Sequence, residues 1–359
     1  MFEPLDDPRP PTFDAAFRRR VVRRAHQRRR RRLAGGAGAT VVAMAAGAAG
    51  LYGPSVWRAR DIERVEVAGT APVENGEPVT VLVLGADGPR TDGVTGTRVD
   101  TIVLARLDPA AGRLSLLSLP RDLMVSDQTG ASATISSLAG DLAALVGAVE
   151  QQIGVPLDHV VQVDFRGFVA LVDRVGGVDV RVDATVRDAA SGLLVEQPGC
   201  VTLDGEQALA LVRSRRLEVL GPDGTWQQDP YSDLRRVENQ RAVVAAALAG
   251  LDRLGWSPGE MGDQVAWAVD HLTVDAGLSL QDMVRLGSSA AALGPDDVAG
   301  ATLPVVPHPA DPNRLAVDPA AAPATVAAFV AGDPLPSSAP LGAGEPPSVA
   351  PVDPVVAPC

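Results

Sequence analysis

Lysine is absent from this chain of 359 residues: all 32 of its basic side chains are arginine. A phosphate-binding loop of the Walker type needs its lysine, so ATP or GTP hydrolysis by that route is excluded. Histidine is scarce, with His26, His159, His271 and His308 scattered along the chain, and no HExxH, CxxC or GxSxG spacing occurs. Zinc chemistry and serine–histidine hydrolysis therefore have no visible apparatus. His159 precedes an apolar run and reads as a structural residue. Cys200 and Cys359 are the only cysteines. They allow either one disulfide tying the C-terminal end to the core or two unpaired thiols. What remains for chemistry is carboxylates and arginines.

Charge divides the chain sharply. Residues 1–60 carry 13 arginines against 4 acids, and residues 61–359 carry 19 against 40. Between them, Leu33 to Gly53 is uncharged and mostly apolar, directly after Arg28–Arg32. Its 21 residues are long enough to cross a bilayer core of about 30 Å. The preceding arginines place the N-terminus in the cytoplasm and the remainder outside the cell membrane. An uncleaved single-pass anchor is the favoured reading. A cleaved signal peptide competes, with Ala46-Gly47-Ala48 as its small-residue site. A basic arm for nucleic acid is disfavoured, because positive-inside topology already explains the arginines, and the acidic remainder should not bind nucleic acid by net charge. The resulting division is a cytoplasmic arginine-rich tail (1–32), a transmembrane anchor (33–53), a stalk (54–77), a main domain (78–310) and a Pro/Ala-rich tail expected to be disordered (311–359).

Within the main domain, apolar runs predict strands at 79–85, 100–107 and 113–119, the last two paired antiparallel through the turn at Asp108–Gly112. Periodicity predicts a helix at 137–153, with Leu138, Leu142, Leu145, Val149 and Ile153 on one face. A strand at 159–163, a helix at 165–175 stopped by Gly176-Gly177 and a strand at 178–182 read as a β-α-β run. Asp204 caps a further helix, and two more fall at 233–254 and 279–293. The mixture is an α/β class: one domain with a central mixed sheet flanked by helices, preceded by the transmembrane helix.

Charges gather where these strands end. Asp87, Arg98, Asp100, Arg121 and Asp122 all sit at strand termini. If the first two strands are neighbours, Asp87 and Asp100 share one edge. Two carboxylates completed by water and phosphate oxygens suit Mg²⁺ or Mn²⁺, the bland alternative being a turn cap and a solvated side chain. Arg213 and Arg215 flank Ser214 where a helix is ending, so they can converge and grip a pyrophosphate with forked donors; the alternative is a solubilising charge cluster. On the helix from 233, Asp233, Arg236 and Gln240 share one face. Capping and a surface ion pair would explain two of the three.

The ordered segments LGAD (84–87), RVDT (98–101), LPRD (119–122), LDGEQALALVRSR (203–215) and DLRRVENQ (233–240) resemble the signatures of the LytR-CpsA-Psr enzymes, which attach glycopolymers to the bacterial cell wall. The likeness runs from about Pro78 to Leu254 and, more weakly, to Pro307. It implies an enzyme that moves a polyprenyl-pyrophosphate-linked glycopolymer onto peptidoglycan at the membrane. It implies metal roles for Asp87 and Asp100. It implies pyrophosphate roles for Arg98, Arg121, Arg213, Arg215 and Arg236, with Gln240 in support. The proton acceptor is left between Asp100 and Asp233.

Two departures stand out. The family helix commonly reads D-x-G-R-x-x-R-Q, whereas Arg235 replaces its glycine and Asn239 its second arginine. The segment TISSLAG (134–140) also lacks a lysine-asparagine pair common there. A non-catalytic protein that binds the polyprenyl lipid or the wall, and a pyrophosphatase using water as acceptor, are the rival readings. A transcriptional regulator is a third, and an exported domain excludes it.

Overall fold

The computed structural model describes residues 59–67, 69–70, 73, 76–87, 99–126, 130–229, 232–254, 261–336 and 357–358. Its strands are β1 (Glu63–Val65), β2 (Val79–Ala86), β3 (Val99–Asp108), β4 (Arg113–Ser118), β5 (Met124–Ser126), β6 (Ser132–Thr134), β7 (His159–Asp164), β8 (Val178–Val182), β9 (Val186–Asp188), β10 (Leu193–Val195), β11 (Gly199–Leu203), β12 (Glu218–Leu220), β13 (Trp226–Gln228), β14 (Leu272–Asp275), β15 (Val298–Thr302), β16 (Val305–His308), β17 (Asp311–Val317) and β18 (Ala357–Pro358). Its α-helices are α1 (Leu142–Ile153), α2 (Phe165–Arg174), α3 (Gly205–Arg213), α4 (Ser232–Ala249), α5 (Met261–His271), α6 (Leu280–Ala291) and α7 (Ala322–Ala331).

Seven strands form the central sheet in the order β1-β14-β7-β2-β3-β4-β15. It is mixed: β2 runs antiparallel to β3 and parallel to β7. Side chains alternate across the sheet with the two-residue period of a strand. Leu82, Leu84, Ile102 and Leu104 pack with Leu145, Val149 and Ile153 of α1. Val103, Leu114 and Leu116 face the other way, onto Val244, Ala245 and Leu248 of α4 and Leu286 of α6. The mixed α/β architecture agrees with the sequence reading.

Helix α4 explains its own composition. Ala242, Val243 and Ala247 belong to a second core with β8, β9, β10 and α3, while Val244, Ala245 and Leu248 meet the central sheet. A helix buried on both sides needs small apolar residues all round, and not one apolar stripe, over the stretch so buried, here Ala242–Leu248.

Four expectations need correction. The helix predicted from 137 is broken in two: a 3₁₀ segment covers Ile135–Gly140, and α1 begins afresh at Leu142, capped by Asp141, whose carboxylate accepts from the Ala144 N–H at 2.9 Å. The β-α-β run does not close within one sheet. Both edges of β7 are taken, by β2 and β14, so β8 pairs instead in a separate sheet ordered β11-β8-β18. Between α2 and β8, Gly177 (φ 91°) passes so near β11 that a Cβ would lie 2.6 Å from Thr202 Cγ2. The supposed stalk enters the fold, with Ala59, Ile62 and Val67 buried and β1 parallel to β14. The supposedly disordered tail does too. β17 pairs with β16, and Ala322, Val326 and Phe329 of α7 sit in the main core.

Cys200, in β11, is disulfide-bonded; the chain's other cysteine, Cys359, lies outside the described residues. No helix among the described residues is long and apolar enough to cross a membrane, and the segment 33–53 lies outside them.

Candidate functional site

The site begins with an irregularity in the β2–β3 ladder. Gly85 pairs with Thr101 and Ala86 with Val99, so Asp100 is the extra residue of a bulge. Bulges re-aim side chains at sheet edges. Here the backbones also approach closely, since a Cβ on Gly85 would come within 3.0 Å of the Thr101 Cβ. The Asp100 carboxylate meets two arginines through Oδ1: Nη1 of Arg121, in a short contact, and Nη2 of Arg215 at 3.2 Å. The backbone carbonyl of Asp100 accepts from Arg236 Nη1 at 3.4 Å and Gln240 Nε2 at 3.5 Å, both long contacts.

Each of these groups is placed by an identifiable local feature. Arg121 follows Leu119-Pro120 in a tight turn, its carbonyl accepting from the Ser136 N–H. Helix α3 starts at a capping box between Asp204 and Gln207, and it ends at Ser214, whose φ of −61° and ψ of 126° leave helical geometry. Extension there lets Arg213 and Arg215 serve one cavity. The Arg213 guanidinium lies 5.2 Å above the Phe165 ring. Phe165 opens α2, which Asp164 caps through the Gly167 N–H. Gln240 also donates to the Val212 carbonyl at 3.0 Å, joining α4 to the end of α3.

The cavity so formed is lined by Asp100, Thr101, Phe165 and Val212 together with Arg213, Arg215, Arg236 and Gln240. Four arginines gather around Asp100: Arg121 and Arg215 on its carboxylate, Arg236 on its carbonyl and Arg213 in the same cavity. The local charge is positive in an acidic chain, which suits a polyanion with forked, planar acceptors.

Six sequence-predicted residues therefore converge: Asp100, Arg121, Arg213, Arg215, Arg236 and Gln240. Asp87 follows Ala86 at the same end of the ladder but does not line the cavity. Arg98 lies outside the described residues, as does the side chain of Asp233 in the first turn of α4. Phe165 and Thr101 were missed. An aromatic residue directly after a helix-capping aspartate at a strand end was the available signal for Phe165. Among the described residues no three His, Cys, Asp or Glu side chains gather as a metal centre. Asp100 is the one carboxylate in the cavity lining, with Asp87 following Ala86 at the same end of the ladder; oxygen donors of this kind, completed by water, are the type that Mg²⁺ accepts.

His159, expected to be structural, is buried and its Nδ1 lies 3.1 Å from Asp275 Oδ2, linking the neighbouring strands β7 and β14. Burial pushes the Asp275 carboxyl up. The His159 contact, the Val160 N–H and the attraction of His159 outweigh this and hold it below the ordinary carboxylate range.

Residues 55–318 match the model of the LytR_cpsA_psr family. The polyisoprenyl-teichoic acid–peptidoglycan teichoic acid transferase TagU of Bacillus mycoides is 32% identical over 194 residues, covering 53% of this chain and 57% of that protein. The TagU of Enterococcus faecalis is 30% identical, covering 60% of this chain and 66% of its own. The chain thus spans little more than half the length of the first of these relatives. A LytR-Csp2A-Psr enzyme from Actinomyces oris superposes with a TM-score of 0.60 at 28% identity, covering 74% of this chain and 95% of that one.

Proposed function

The chain belongs to the LytR-CpsA-Psr family, and from that premise we propose that it transfers a glycopolymer from a polyprenyl-pyrophosphate carrier to a hydroxyl of peptidoglycan. The acceptor oxygen bonds to the glycan-side phosphorus, the bond from that phosphorus to the bridging oxygen breaks, and polyprenyl phosphate leaves. The product is a phosphodiester, and the acceptor's proton passes to Asp100 or Asp233. The observation that carries this reading is the convergence of Arg121, Arg215 and Arg236 on the two ends of Asp100, with Arg213 in the same cavity. Phosphoryl transfer depends on positioning and charge neutralisation more than on covalent chemistry. Relatives named as polyisoprenyl-teichoic acid–peptidoglycan transferases support the substrate class.

Mg²⁺ or Mn²⁺ belongs to the proposal. Asp87 and Asp100 would hold it, and it would neutralise charge on the phosphates when bound. Residues 33–53 would anchor the chain, with the catalytic domain outside the cell membrane.

The test is a reconstitution of the full chain with polyprenyl-pyrophosphate-linked glycopolymer and peptidoglycan. Polymer joined to peptidoglycan and release of polyprenyl phosphate are expected, both abolished by Arg215→Ala. Release that proceeds without peptidoglycan would assign a pyrophosphatase instead. Carrier binding with neither product would assign a binding protein. A C-terminal reporter active only in the cytoplasm would overturn the topology.

A further inference from the structure

The turn that carries the cavity's arginines is held from behind by a residue that does not line the cavity. Asp188 closes β9 and is 1% exposed. Its Oδ2 accepts three hydrogen bonds: from the Ser214 hydroxyl at 2.8 Å, the Arg215 N–H at 2.9 Å and the Arg216 N–H at 2.9 Å. Its Oδ1 accepts from the Ala190 N–H at 2.9 Å, which closes the turn after β9. Ser214 is as deeply buried, at 1% exposed. Three consecutive residues are thereby fixed to one carboxylate oxygen at the point where the chain leaves α3.

Nothing in the local sequence requires this. A helix that ends at Arg213 can continue in several directions, and an extended path through Ser214 is the one that puts Arg213 and Arg215 on one side. Hydrogen bonds to a carboxylate are stronger than neutral ones, and a buried anion without them would be costly. The arrangement therefore holds the turn to one path. Burial pushes the Asp188 carboxyl up, but the Arg216 N–H, the Ser214 hydroxyl and the N–H groups of Ala190 and Arg215 more than offset it and keep the group anionic in the neutral range.

We propose that Asp188 is a positioning residue for the pyrophosphate clamp, setting the Ser214–Arg216 backbone so that Arg213 and Arg215 face the cavity together. The proposal rests on the reading of that cavity as a diphosphate site. An asparagine at 188 keeps the shape but offers one acceptor oxygen where the carboxylate has two. Its NH₂ then opposes N–H donors on one side.

The experiment uses the full chain, with inorganic pyrophosphate as probe in calorimetry and with donor kinetics beside it. Asp188→Asn is expected to weaken pyrophosphate binding on the order of 10- to 100-fold, with the donor KM rising by a similar factor. Ser214→Ala, which removes one donor of three, should weaken it several-fold and carries the test if Asp188→Asn does not fold. A structural role alone would not couple to the arginines, so the double variant decides. Asp188→Asn with Arg215→Ala should lose far less than the product of the two single losses. Folded single variants that bind as the wild type does, or losses that multiply in full, overturn the proposal. If the wild type binds pyrophosphate and Asp188→Asn does not, while neither transfers polymer, positioning stands and only the transfer reading falls. A wild type that does not bind pyrophosphate overturns both.

Discussion

Arg236 donates to the backbone carbonyl of Asp100, 136 positions earlier in the chain, and not to its carboxylate. Arg121 and Arg215 take the carboxylate. Replacing the Asp100 side chain therefore leaves one of its links to the arginines and removes the others. Asp100→Ala should lower kcat/KM by about 10²- to 10³-fold, the scale of one electrostatic group in a transition state. Asp87→Ala, outside the cavity lining, should cost less. Titration with Mg²⁺ checks the rest of the argument: both variants should need more metal than the wild type. Full activity of both in chelator ends the metal reading.

Arg213 has a stacking partner as well as a charge. Its guanidinium lies over Phe165, and lysine would keep the charge while losing both the planar fork and the stack. Arg213→Lys should therefore be nearly as impaired in donor transfer as Arg213→Ala. Wild-type rates with lysine would show that charge alone suffices there.

Much of this site was legible because its residues sit at ends. LGAD, RVDT and LPRD mark three strand termini in order, and antiparallel pairing of the first two brings Asp87 and Asp100 to one edge whatever the details. The bulge at Asp100 was not legible, since a bulge is a mismatch between two strands and neither strand alone encodes it. Asp188 was invisible for a related reason: three of its four donors lie 26 to 28 positions later. The C-terminal helix was misread for a different cause. Ala322, Val326 and Phe329 stand at i, i+4 and i+7, a helical face, but the surrounding alanine and proline suggested a low-complexity tail.

That correction has a measurable consequence. Phe329 is fully buried in the main core. Phe329→Ala should cost about 3–5 kcal/mol in denaturant unfolding, as large-to-small core changes do. A loss under about 1 kcal/mol would return α7 to the status of an appendage.

Acid should act on the strand pair β7–β14. The folded Asp275 carboxyl is held below its ordinary value. Its contribution is therefore fully present above the unfolded value of about 4 and is lost as the pH falls through the lower, folded one. Asp275→Asn should be clearly less stable than the wild type at neutral pH, and the gap should narrow as the pH drops below about 4. Urea unfolding at a series of pH values measures that gap. A gap that stays constant into acid would mean that the carboxylate's charge contributes nothing and that shape alone is at work.

Asn239 offers the most discriminating substitution. It is 3% exposed, and it sits three residues after Arg236 and immediately before Gln240, both of which line the cavity. An arginine at 239 would bring a second guanidinium beside Arg236. With the cavity empty, like charges and desolvation oppose each other's accommodation, so the melting temperature of the Asn239→Arg variant should fall. With a diphosphate bound, the same group can share the anion, and a charge-assisted hydrogen bond is worth about 1–3 kcal/mol. Lower stability alone together with tighter pyrophosphate binding is thus the expected signature, and calorimetry with thermal melts reads both. Turnover must be measured beside them, because a non-catalytic carrier-binding protein would gain affinity too. Tighter binding without transfer in either protein favours that alternative. Unchanged binding and unchanged melting would place residue 239 away from the anion.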